Sequence, residues 1–258
     1  MAVDLKELAR RMLADYDART PGGVFGEPFD LTAVEAYDLQ AEIARLRGRR
    51  GERVIGYKIG CTSRTIQAQL GVKGPIIGRL FDTECHPSGV HLPAVRYANL
   101  AIEGELAIRL SRDLPGRPLT DEEYTGAIES VFPVIELHHY VLPANGNPAA
   151  ALIASGGMHA GLVLPTRETT CPGQVPVLEE LDVTINERLV GTTRESWTMD
   201  GPAATLRWLS TLLAGWGLQL RRGQVILTGS ALPLYPVKAG DRVVARARSL
   251  GISSAEID

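Results

Sequence analysis

From residue 51 onward the chain is a succession of short β-prone runs, at 54–59, 100–110, 131–137, 162–164, 181–185, 224–228 and 242–247, separated by segments that carry glycine and proline. Runs this short bury themselves only by pairing with one another, so the body of the protein is expected to be sheet. Ahead of them, Leu5, Leu8, Met12 and Tyr16 recur at helical spacing between Asp4 and about Ala18. A breaker-rich stretch at 20–28 follows, and then Thr32 and Glu35 form a T-x-x-E capping signature before Ala36, Leu39, Ile43 and Leu46, which predicts a second helix to about Gly48. A late helix starts near Pro202, carries Leu206, Leu209, Leu213 and Trp216 on one face, and stops at Gly217. The pattern predicts an α+β fold, with a helical N-terminal arm at 1–50 and a strand-rich domain at 51–258.

Composition narrows the function. Lysine and arginine number 27 against 30 acidic residues, a net charge of −3 that offers nothing to a phosphate backbone, so no nucleic-acid partner is expected. No stretch approaches 18 uninterrupted apolar residues, which argues against a membrane span, and the N-terminus lacks the order of a secretory signal. A cytoplasmic location is expected. Cys61, Cys85 and Cys171 are odd in number and lack metal-ligand spacing, as befits reduced thiols.

In the run at 100–110, Glu103 and Glu105 lie two apart, so strand periodicity aims both carboxylates at one face. A third acid, Glu136, sits at the end of the apolar run at 131–137. Like charges crowded on a half-buried surface repel and lose hydration, and a hard divalent cation relieves both problems. Oxygen-only ligands favour Mg²⁺ or Mn²⁺ over zinc or copper, with positions left for water and substrate. Spacing alone fits, and slightly favours, a solvated edge strand with Glu136 paired to an arginine. Lys58 raises a similar choice: in the β-prone Val54-Ile-Gly-Tyr-Lys-Ile-Gly it either snorkels to water or is functional, its pKa lowered beside a metal and by desolvation into a range useful for proton transfer.

These segments combine with others: G-Y-K-I-G-C-T-S at 56–63, Q-L-G-V at 69–72, G-R-L-F at 78–81, E-G-E-L-A at 103–107, I-L-T-G-S at 226–230 and V-K-A-G-D at 237–241. In order and spacing they resemble the 2-keto-4-pentenoate hydratase and 4-oxalocrotonate decarboxylase family, within the fumarylacetoacetate hydrolase superfamily, over nearly the whole chain. The resemblance implies a mixed β-roll, a Mg²⁺ or Mn²⁺ ion held by Glu103, Glu105 and Glu136, and Lys58 as the catalytic acid/base. It also implies substrate-carboxylate contacts near Ser155 and Ser230, although a plain tight turn is an equal reading of the T-G-S segment. A 2-oxo acid that chelates such an ion has its enolate stabilised, which serves hydration and decarboxylation alike.

The chain also departs from that pattern. Many hydratases of the group carry G-V-x-x-P-D, where this chain has Ile76 after the proline. A common D-N-A-S-S-G reads here Leu152-Ile-Ala-Ser-Gly-Gly, and Glu136 is followed by Leu137-His-His-Tyr. His138 and His139 are candidate polar groups, one of which faces away if the strand continues. His159, Arg194 and Trp197 are further candidates to line the substrate cavity, a role that spacing does not distinguish from packing. The expected activity is a metal-dependent lyase of unsaturated 2-oxo or 2-hydroxydienoate acids from aromatic-compound catabolism. A 2-keto-4-pentenoate hydratase comes first, and a 4-oxalocrotonate decarboxylase is the alternative. A carbon–carbon hydrolase is disfavoured by the absence of histidine from the N-terminal arm, and a lapsed 2-oxo-acid-binding or assembly protein is the reading from another class. The expected partners are the 2-oxo acid substrate, further copies in a homo-oligomer, and a cognate hydratase or decarboxylase.

Overall fold

The structure, a computed structural model, describes residues 3–20, 23–27, 29–141, 147–175, 180–194 and 197–258. Pro21, Gly22 and Pro28 of the breaker segment lie outside the described residues. Helix α1 (Leu5–Asp17) is capped by the Asp4 side chain, and α2 (Ala33–Arg49) by the expected Thr32–Glu35 capping box.

The strands are β1 (Val54–Gly60), β2 (Ile76–Phe81), β3 (Cys85–Pro87), β4 (Val90–Leu92), β5 (Leu100–Leu110), β6 (Ile128–His139), β7 (His159–Leu164), β8 (Thr169–Thr170), β9 (Leu181–Ile185), β10 (Arg188–Thr193), β11 (Val225–Leu227), β12 (Tyr235–Pro236), β13 (Arg242–Ala247) and β14 (Gly251–Ile257). A nine-stranded sheet runs in the order β2-β1-β11-β5-β6-β7-β3, with β12 added to β5 and β8 to β6, and a five-stranded sheet runs β10-β9-β13-β14-β4. The β1–β11, β3–β7 and β4–β14 pairs are parallel and the others antiparallel, which makes the mixed β-roll the resemblance implied. One face of the large sheet packs on the small one. There Gly104 lies under Val183 and Ala245, beside Ile102, Ile135 and Leu137.

Between the strands lie α3 (Arg64–Leu70), α4 (Asp121–Thr125), α5 (Pro148–Ala154) and α6 (Pro202–Gly215). Leu206, Leu209 and Leu213 of α6 are buried as its stripe predicts. Trp216 is the C-cap instead, 39% exposed and resting on Tyr37 of α2. Sequence reading left out α5, whose Ala149–Ala154 are all buried against Ala36 and Leu39 of the arm. The arm also covers the free edge of β2: Gln40 Nε2 donates to Ile77 O at 2.9 Å and to Ile153 O at 2.6 Å, satisfying a carbonyl that an open edge leaves unpaired. Arg47 ties the two parts together, buried and paired with Glu52 at 2.5 Å and Glu84 at 2.7 Å. Among the described residues no helix is long and apolar enough to cross a membrane.

Candidate active site

Strand register gathers the site on the second face of the large sheet. Glu103 of β5 lies directly opposite Glu136 of β6, and Glu105 opposite Val134. On the other side β1 places Lys58 opposite Leu227 of β11, itself opposite Ala107 of β5. Because side chains alternate along a strand, all four candidates and His138, two residues beyond Glu136, share this face. The edge-strand reading of the E-x-E pair fails, since β5 is interior and Glu105 is 1% exposed. The snorkelling reading of Lys58 fails too: it is 3% exposed, with Nζ 3.1 Å from Glu136 Oε1 and donating to Gly157 O at 3.0 Å.

Two glycines permit this crowding. Gly157 sits at φ +72°, and a Cβ there would lie 2.6 Å from Lys58 Nζ. Gly229, at φ +95°, turns the chain just beyond β11 so that its N–H donates to Glu105 Oε2 at 2.6 Å. The same turn occupies Ser230, whose hydroxyl donates to Gly104 O at 3.0 Å and accepts from Leu232 N–H at 3.0 Å. Ser155 likewise caps α5, accepting from Met158 N–H at 3.1 Å.

The charges are mutually dependent. Burial works against the Lys58 ammonium, but Glu136, Glu103 and Glu105 outweigh it and hold the pKa above the ordinary lysine value. Lys58 therefore rests as a proton donor. Among these side chains alone the carboxylates decide the direction, whereas the lowered value expected from the sequence was that of a lysine beside a metal ion. Burial also opposes ionisation of Glu136, yet Lys58 and His138 keep its carboxyl well below the usual range. Burial and the neighbouring Glu136 and Glu103 push Glu105 well above that range. Against its own burial, Glu136 and Glu103 raise His138 to about 9.

His138 was one of two histidines that spacing left open. Its Nε2 lies 3.3 Å from Glu103 Oε2 and 3.4 Å from Glu136 Oε2. His139 points elsewhere, accepting from Ala98 N–H at 3.1 Å and packing on Tyr16 and Tyr97, and burial pushes it down to about 4. His159, outside the sequence-predicted set, donates from Nδ1 to Glu136 Oε1 at 2.7 Å. Only a strand alternation carried past Glu136 pointed to His138; His159 enters through β7, and no spacing links it to the carboxylates. Trp197 packs against the core beside α6, and Arg194 pairs with Glu180 at the surface.

The residues present fit a divalent cation. One oxygen each from Glu103 and Glu136 and one nitrogen of His138 lie within 4.8 Å of one another. Glu105 Oε1 and His138 Nε2 are buried and make no hydrogen bond among the described residues. Three crowded carboxylates, with one buried carboxylate oxygen and one buried imidazole nitrogen uncommitted, are what a hard cation satisfies. Next to this cluster a cavity of about 90 Å³ lies between the arm and the sheet, largely apolar, with Met12, Leu13, Phe25, Ile43 and Val141 in its wall. Ser155, Gly156, Met158 and His159 also line it, so the turn at 155–159 has the cavity on one side and Lys58 and Glu136 on the other.

This fold and cluster define a metal-dependent enzyme built on a mixed β-roll, and comparison with known proteins gives its family. Residues 62–258 match the family described as fumarylacetoacetate (FAA) hydrolase C-terminal. The chain is 32% identical over 231 residues to 2-hydroxyhexa-2,4-dienoate hydratase of Comamonas testosteroni, covering 87% of this chain and 86% of that one. It is 31% identical over 226 residues to 2-oxo-hept-4-ene-1,7-dioate hydratase of Escherichia coli, covering 82% of each. The structure of 4-oxalocrotonate decarboxylase from Pseudomonas putida G7, complexed with magnesium and adipate, superposes with a TM-score of 0.85 at 25% identity, covering 98% of this chain and 97% of that one. The chain belongs to the fumarylacetoacetate hydrolase family.

Proposed function

We propose that the protein is a Mg²⁺- or Mn²⁺-dependent lyase that hydrates 2-hydroxydienoates, with 2-hydroxypenta-2,4-dienoate as the leading substrate, in the catabolism of aromatic compounds. The observation that carries this reading is the buried cluster itself, three carboxylates and one ammonium on a single sheet face beside an apolar cavity. Glu103, Glu105 and Glu136, with His138 beside them, would hold the ion. Bound there, it supplies Lewis-acid polarisation of the oxygens of a 2-oxo acid.

The chain's own residues do the rest. Lys58 keeps a proton at Nζ next to Glu136 and delivers it to the carbon skeleton as general acid. The Gly229 N–H fixes Glu105, and His159 fixes Glu136. The apolar cavity takes the hydrocarbon tail and keeps bulk water from the reacting carbons. Residues 1–50 act as an arm that closes this cavity over residues 51–258. Ser155 and Ser230 stand at the edges of the site, where their backbone turns rather than free hydroxyls orient the substrate. Further copies of the chain and a cognate hydratase or decarboxylase remain the proposed partners, in the cytoplasm.

Decarboxylation of 4-oxalocrotonate is the second reading. Ile76 favours it: 2% exposed, it brings no proton-transferring group to the Lys58 side of β2. A substrate panel decides. Purified protein with Mg²⁺ is incubated with 2-hydroxypenta-2,4-dienoate or with 2-oxohex-3-enedioate, and products are identified by NMR. Formation of 4-hydroxy-2-oxopentanoate supports the hydratase. CO₂ released from the second substrate, with no conversion of the first, assigns the decarboxylase.

A further inference from the structure

His159 is engaged on one side only. Its Nδ1 donates to Glu136 Oε1, the same oxygen that Lys58 Nζ approaches at 3.1 Å. Two donors thus hold Oε1, and Oε2 is left facing Glu103 and His138. A neutral imidazole that donates from Nδ1 carries a lone pair on Nε2. In His159 this Nε2 is buried, makes no hydrogen bond among the described residues, and belongs to a ring lining the cavity between arm and sheet.

Most other polar groups around that cavity are already committed, the exception being Glu84 Oε2, which is buried, makes no hydrogen bond among the described residues and lies away from the carboxylate cluster on the Tyr16 and Arg47 side. The Ser155 hydroxyl donates to Leu152 O and accepts from Met158 N–H. Gln40 donates to two carbonyls and accepts from Arg79, Tyr16 donates to Glu84, and Arg47 is paired with Glu52 and Glu84. In the neutral, Nδ1-protonated ring His159 Nε2 is an acceptor in a largely apolar space with room for a water molecule, beside the carboxylate cluster.

We propose that His159 is the water-binding residue of the site: Nε2 accepts a hydrogen bond from the water that adds to the substrate, while Nδ1 keeps Glu136 aimed at the cluster. The assignment rests on the hydratase reading. In that reaction the water oxygen bonds to one carbon of a carbon–carbon double bond and a proton ends on its neighbour, with no oxidant, reductant or leaving group. A residue that fixes the water therefore governs the addition without governing the earlier shift of the dienol to the 2-oxo form, which needs a proton donor and no added water.

Two variants separate the two nitrogens. His159→Asn keeps an amide at the Nδ1 position and removes the cavity acceptor; His159→Gln places an amide at the Nε2 position and gives up the hold on Glu136. Each is compared with wild type by calorimetric Mg²⁺ titration, thermal melting, deuterium uptake into the 2-oxo acid in D₂O, and product formation by NMR. The expected result for His159→Asn is unchanged Mg²⁺ affinity, melting and deuterium uptake, with hydration at least about a hundredfold slower. His159→Gln is expected to lose about tenfold or more in Mg²⁺ affinity and to hydrate faster than His159→Asn once saturated with metal. Hydration by His159→Asn at the wild-type rate overturns the inference, as does equal loss of deuterium uptake and hydration at intact Mg²⁺ affinity. A wild-type protein that takes up deuterium and hydrates no dienoate overturns the hydratase reading instead.

Discussion

Glu103 and Glu136 stand directly opposite each other across β5 and β6, two carboxylates at a cross-strand position where like charges destabilise a sheet. Lys58 and His159 take up one oxygen of Glu136, and His138 approaches both acids. The site is thus built from a conflict that ordinary packing would remove, and a bound cation is what makes the conflict useful.

Replacing Glu105 tests the ligand set without unsettling the fold. In Glu105→Gln the amide oxygen can still accept from Gly229 N–H, so melting without metal should match wild type. Mg²⁺ affinity should fall by roughly one to two orders of magnitude, read by calorimetry. Wild-type affinity in this variant would remove Glu105 from the proposed set.

Lys58→Met leaves the carboxylates without their buried ammonium. Removing one partner of a buried pair costs about 3–5 kcal/mol, so the variant should melt earlier than wild type in EDTA. Saturating Mg²⁺ should recover part of that loss, because a ligand that binds only the folded state stabilises it. Activity should not return, since no ammonium remains to donate a proton.

Gly157→Ala forces a side chain into the space of the lysine. Its φ of +72° already costs a non-glycine residue about 1–3 kcal/mol, and the new Cβ would stand 2.6 Å from Lys58 Nζ. Turnover with saturating Mg²⁺ should drop more steeply than stability, measured as kcat beside the melting temperature.

Acid stability should depend on a pair remote from the site. Burial opposes ionisation of Glu168, but hydrogen bonds from Arg109 and Ser130 hold its pKa below the usual value. A lowered folded-state pKa gives stability that is present above the unfolded value of about 4.3 and is lost as the pH falls through the lower folded value. The gap in melting temperature between wild type and Glu168→Gln should therefore be wide near about pH 6 and narrow steadily as the pH falls below the unfolded value of about 4.3. A gap independent of pH would contradict the assignment.

How far the sequence reached follows from the range of each signal. Strand alternation is local and unambiguous, so Glu103 and Glu105 were legible as one face, and the capping box at Thr32 marked the start of α2. The fold followed from the order of several motifs, none specific alone. The direction of the Lys58 shift was not legible, because it depends on carboxylates that meet it only through β11 and the cross-strand register. His159 was a candidate for the cavity wall, where it lies, but its contact with Glu136 was not legible for the same reason, spanning 23 residues and two strands. Helix α5, apolar in all seven residues and buried from Ala149 to Ala154, has no polar face to reveal its period.

The most direct test of the account is a proton NMR time course of 2-hydroxypenta-2,4-dienoate with the wild-type protein and with a Glu103→Gln/Glu136→Gln double variant, each in Mg²⁺ and in EDTA. The account predicts 4-hydroxy-2-oxopentanoate from the wild type with Mg²⁺ alone, and none from the other three samples. Product formed in EDTA, or by the folded double variant, would contradict it.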